Sequence, residues 1–79
     1  MKLTYDPRYN IAYLAFQEKT AQVEIIHVSD QLNIDLAPDG TLYGIELLNA
    51  NEQLRIDTDP MLRVVNEARG EASELLLAV

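Results

Sequence analysis

A chain of 79 residues, 48% of them hydrophobic and 6% aromatic, has room for one aliphatic core and is too apolar to stay disordered. It contains no cysteine, which excludes disulfides, thiolate zinc sites and a cysteine nucleophile, and which fits a reducing, cytoplasmic setting. Thirteen acidic residues against six basic ones give a net charge of −7. Because Lys2, Arg8, Lys19, Arg55, Arg63 and Arg69 are scattered along the chain, nucleic acid is not an expected partner.

Lys2 to Tyr5 reads as a short strand, Asp6-Pro7-Arg8-Tyr9-Asn10 as a run of turn formers, and Ile11 to Phe16 as a second strand closing a hairpin. Asp6 is expected to hold the turn by accepting backbone N–H bonds around Pro7. Thr4, Asp6, Pro7, Arg8 and Asn10 also interrupt the apolar runs that a signal peptide requires, and no later stretch approaches a membrane span. Ile11 to Phe16 is apolar on both strand faces, so it lies either under two layers or partly beneath another subunit, and we expect the second.

Polar residues 18–22 break the pattern before Val23 to Val28, a β-branched run that fits a third strand. Leu32, Ile34 and Leu36 then alternate with Asn33 and Asp35, as in a half-buried fourth strand. Within Ala37-Pro38-Asp39-Gly40-Thr41, the Asp-Gly pair predicts a type I′ hairpin turn with positive φ at both central residues. That turn sets Leu36 opposite Tyr43, Ile34 opposite Ile45 and Leu32 opposite Leu47 on one face. On the other face it pairs Asn33 with Glu46 and Asp35 with Gly44.

Asn49 to Asn51 ends the fifth strand, and Glu52 to Arg55 fits either a helical turn or an irregular link. Asp59-Pro60 has the form of an N-cap followed by proline at the first helical position. Met61, Val65, Ala68, Ala72, Leu75 and Val79 recur at steps of four and three, with Leu62 and Leu76 widening the stripe, which predicts a helix. Gly70 interrupts it, so the helix either continues or ends there, with Leu75 to Val79 then a short terminal strand. The expected class is α+β in a single domain, 1–79: an antiparallel β-meander of four to five strands, residues 1–48, packed against a C-terminal helix within a helical region at about 51–79. That helix is expected to cover Ile34, Leu36, Tyr43 and Ile45.

Tyr5-Asp6-Pro7, Ala12-Tyr13, Asp35, Asp39-Gly40, Leu42 and Gly44-Ile45-Glu46-Leu47-Leu48 with Ala50 stand in one order. In this the first fifty residues or so resemble the domain-of-unknown-function family numbered twenty-two eighty-three. Its members are short microbial proteins with this opening turn, a variable strand and a closing hairpin that ends in Gly-Ile-Glu and aliphatics. The resemblance implies a fold type; it brings no activity, catalytic residue or binding residue with it. From Asn51 onward the chain departs from the family's shortest members.

No catalytic constellation is expected. The lone histidine, His27, sits in a strand without an acid at motif spacing and reads as structural. Asp57-Thr58-Asp59 imitates the start of a calcium loop, but Leu62 and Ala68 stand where such a loop needs glycine and glutamate. Neither a metal nor a cofactor is expected. Asn33, Asp35 and Glu46 share one hairpin face, with Gly44 leaving space beside Asp35 for a ligand or a backbone. The plainer reading of the three is a solvated sheet face. Tyr5, Asp6, Tyr9 and Tyr13 are a second candidate cluster.

The leading functional expectation is therefore a non-enzymatic protein-interaction or regulatory module. A homodimer would bury the residual apolar surface of Ile11 to Phe16 or of the Leu75 to Val79 end, and the acidic charge suits a basic protein partner. A small-molecule-binding protein or an enzyme with an acidic cleft near Asp35 and Glu46 is the alternative.

Overall fold

The computed structural model describes residues 1–18 and 22–77. Strands β1 (Lys2–Asp6), β2 (Ile11–Ala15), β3 (Glu24–Ser29), β4 (Leu32–Leu36) and β5 (Leu42–Leu48) form a five-stranded sheet in the order β1-β2-β5-β4-β3, antiparallel throughout. The opening hairpin β1–β2 lies against β5, the last strand of the β3–β4–β5 meander. The antiparallel meander read from the sequence is thus present, and Asp6 holds its first turn as expected, accepting the Arg8 N–H at 2.9 Å.

The expected register holds for Leu32–Leu47, Asn33–Glu46, Ile34–Ile45 and Asp35–Gly44. At the turn it differs. Leu36 pairs with Leu42, and Tyr43 is the extra residue of a bulge. Only Gly40 has positive φ, at 88°, and its N–H donates to the Ala37 carbonyl at 2.9 Å, while the Ala37 N–H donates to the Thr41 carbonyl at 2.8 Å. This is a three-residue loop with Pro38 and Asp39 at its centre and Gly40 in the left-handed position, in place of the type I′ turn. Proline pre-sets the second position of a type I turn, and Pro-Asp-Gly is the signal for it. The loop takes Pro38 from the β4 side and the bulge takes Tyr43 from the β5 side, which is why the farther pairs keep the predicted register.

The C-terminal helix is absent, so the α+β class gives way to an antiparallel β structure with, among the described residues, one short helix, α1 (Ala50–Gln53). Strands β6 (Met61–Asn66) and β7 (Glu71–Leu76) form a separate two-stranded hairpin where the helical region was expected. Asp59 does not cap a helix; its N–H donates to the Arg55 carbonyl at 2.8 Å, and the Pro60 carbonyl accepts the Leu77 N–H at 2.6 Å, closing the hairpin at its base. Gly70, at φ 66°, ends the turn rather than a helix. The β1–β2 hairpin uses the same device, a turn over residues 7–10 ending on Asn10 at φ 55°. Val79, the last member of the predicted stripe, lies outside the described residues.

Alternation sends Leu3, Leu14, Ile45, Ile34 and Ile26 to one face of the five-stranded sheet. These five are half-buried or exposed. Leu54, Ile56 and Leu75 to Leu77 line a cleft with Leu3 and Tyr5 at the β1 end of that face. No described helix or second sheet packs extensively across its centre. Among the described residues the covering helix expected over Ile34, Leu36, Tyr43 and Ile45 is therefore missing, although Tyr43 itself is buried.

Candidate functional site

On the opposite face the registers line up polar residues from all five strands. Thr4 pairs with Tyr13, Tyr13 with Glu46, Glu46 with Asn33 and Asn33 with His27. Asn33 Nδ2 donates to Glu46 Oε1 at 2.9 Å, and Asn33 Oδ1 lies 2.8 Å from His27 Nδ1. Because an amide oxygen only accepts, His27 Nδ1 carries the proton in that bond. In the neighbouring row Asp35 is buried, at 7% exposure, and Tyr13 donates its hydroxyl to Asp35 Oδ2 at 2.7 Å.

Gly44 explains that diagonal reach. A Cβ at position 44 would collide with the ring of Tyr13. The space that glycine leaves beside Asp35 is thus filled by the chain's own tyrosine. Asn33, Asp35 and Glu46 do share one face, but they form two hydrogen-bonded groups, His27–Asn33–Glu46 and Tyr13–Asp35. His27 and Tyr13 were not read as members of this face, because only strand order makes them neighbours of Asn33 and Gly44. A cleft of about 540 Å³ lies beside the row, its lining including Lys2, Thr4, Tyr13, Ala15 and Phe16.

The second candidate cluster does not assemble. Tyr13 belongs to the row just described, Tyr5 donates to Asn10 Oδ1 at 3.2 Å, and exposed Tyr9 stacks under the Arg8 guanidinium, 5.7 Å from its ring centre. Asp6 accepts from Arg8 Nη2 at 2.9 Å, and that side-chain bond above all holds its carboxyl below the usual carboxylate range.

An asparagine group at the sheet's end carries no motif and was not anticipated. Asn10 Nδ2 donates to Asn51 Oδ1 at 2.7 Å, Asn10 Oδ1 accepts the Asn51 N–H at 2.9 Å, and Asn51 Nδ2 donates to Asp57 Oδ2 at 2.9 Å. Asn10 and Asn49 adopt φ of 55° and 52°. The only trace of this group in the sequence is asparagine at turn positions, where its side chain tolerates left-handed backbone. It ties the first turn to the link after β5.

Among the described residues no three His, Asp or Glu side chains are arranged to hold a metal ion, and every buried side-chain polar atom has a partner. No described helix is long and apolar enough to cross a membrane. Neither a curated protein nor a solved structure matches the chain. The opening turn, the β3–β5 meander and the Gly-Ile-Glu strand all fall within residues 2–51, over which the chain matches the family described as protein of unknown function (DUF2283), and it belongs to that family.

Proposed function

We propose that this chain is a non-enzymatic protein-interaction module whose docking element is the hairpin β6–β7. The observation that carries this reading is the hairpin's exposure on both faces. Met61, Leu62, Val64, Val65, Leu75 and Leu76 are between 40% and 60% exposed. A two-stranded hairpin is marginal in water by itself, and a contiguous apolar patch of this kind marks a contact surface. The charge of −7 favours a basic protein among the partners, and the cysteine-free sequence suits a cytoplasmic setting.

The test compares proteins retained from host extract by the immobilised full chain with those retained by the Val64→Asp/Leu75→Asp variant, whose secondary structure is checked by circular dichroism. Loss of a retained protein with the sheet intact supports the reading, and an unchanged retained set defeats it. A basic partner is further expected to be released as salt is raised.

A second reading takes Asn33, Asp35 and Glu46, with Tyr13 and His27, as a small-molecule site. It is supported by the cleft beside Tyr13 and by the burial of Asp35. Chemical-shift changes in these residues on screening small polar ligands would favour it, and none across a broad set would remove it.

A further inference from the structure

We infer that the occupant of these apolar surfaces is a second copy of the same chain, in a two-fold dimer where the hairpin β6–β7 of each copy lies over the apolar sheet face of the other. The inference rests on the reading of the hairpin as a docking element and names its partner.

The chain exposes 6042 Å², against about 4,800 Å² for a folded monomer of its mass. The excess, about 1,200 Å², is more than the roughly 800 Å² per partner of a standard interface. The radius of gyration, 14.2 Å, likewise exceeds the roughly 11.6 Å of a compact chain of this length. Among the described residues not one large side chain is fully buried, so the single chain leaves its own core unfinished.

Complementarity of the two surfaces selects a like copy over a foreign protein. The sheet face bearing Leu14, Ile45, Ile34 and Ile26 lacks a covering layer, while the hairpin is an apolar layer that lacks a sheet. Each chain carries one of each. Isologous pairing lets each copy supply the layer that the other lacks, which closes the assembly. On the hairpin's other face Arg63 Nη2 bonds Glu74 Oε1 across the strands at 2.7 Å, which leaves Leu62, Val64 and Leu75 as the apolar face that meets the partner's sheet.

Two measurements on the full chain test this. Sedimentation velocity across a wide concentration range is expected to give a species of twice 8.9 kDa, with the dissociation constant raised at least 100-fold by Val64→Asp/Leu75→Asp. A monomer at all concentrations overturns the inference; the wider interaction reading fails only if the aspartate variant also retains an unchanged set of proteins. The second measurement uses the natural lack of cysteine. Chains carrying Leu62→Cys, on the hairpin face of Val64 and Leu75, and chains carrying Ile26→Cys are mixed, allowed to exchange, and treated with a short bis-maleimide. Covalent species joining the two variants support the exchanged arrangement. Cross-linking of Leu62→Cys chains only to one another means hairpin against hairpin and overturns it. Because these substitutions leave the rest of the hairpin intact, this arm stands even where the aspartate variant fails to fold.

Discussion

Tyr13 on β2 lies across Gly44 on β5 to reach Asp35 on β4, so one side chain joins three strands. The glycine is what permits the crossing. Gly44→Ala is expected to push the ring aside and break the 2.7 Å bond to Asp35, destabilising the sheet by about 1–3 kcal/mol in chemical denaturation. Tyr13→Phe removes the same bond by another route. The double variant Gly44→Ala/Tyr13→Phe should therefore cost less than the two single costs added together, and strict additivity would show that the glycine and the hydroxyl act independently.

Gly40 holds φ of 88° with open space where a side chain would be. Substitution there strains the backbone without causing a clash. Gly40→Val is expected to cost about 1–3 kcal/mol, and Gly40→Asn much less, since asparagine tolerates left-handed backbone. Equal effects in urea melts would mean that backbone conformation is not what selects glycine.

Asn10 combines a left-handed backbone with three side-chain partners, Tyr5, Asn49 and Asn51. Asn10→Gly relieves the backbone but loses the bonds, whereas Asn10→Ala loses the bonds and keeps the strain. The alanine variant should accordingly be the less stable of the two, by about 1 kcal/mol, as thermal unfolding would read.

Strong acid should weaken both of the turns that Asp6 and Asp39 hold. The side-chain bond from Arg8 lowers the pKa of Asp6, and the Thr41 backbone N–H lowers that of Asp39, 2.9 Å away. A carboxyl whose pKa is depressed on folding contributes stability above its unfolded pKa and loses it as pH falls through the folded value. Carbon-detected NMR titration should find both midpoints below the usual carboxylate range. Arg8→Ala should raise that of Asp6 and leave Asp39 unmoved; an unmoved Asp6 would remove the guanidinium as the cause.

Local chemistry determined the opening hairpin and the β4–β5 pairing. Asp6-Pro7 and Pro38-Asp39-Gly40 are turns by the nature of their residues, and strict alternation from Leu32 to Leu36 permits one register with its apolar residues on one face. The pairing of Asn33 with Glu46 was legible for the same reason.

The C-terminal stretch was not legible, because apolar residues in a run this short satisfy both periods. Met61, Val65, Ala68, Ala72 and Leu75 lie on one helical face, yet Met61 and Val65 also share a strand face and pair with Leu76 and Ala72. Cross-strand pairing around the Gly70 turn decided between them. Strand order was decided in the same way. Placing β5 between β2 and β4 brought Tyr13 to Asp35 and left one apolar face without a layer, relationships between residues far apart in sequence that local pattern cannot encode.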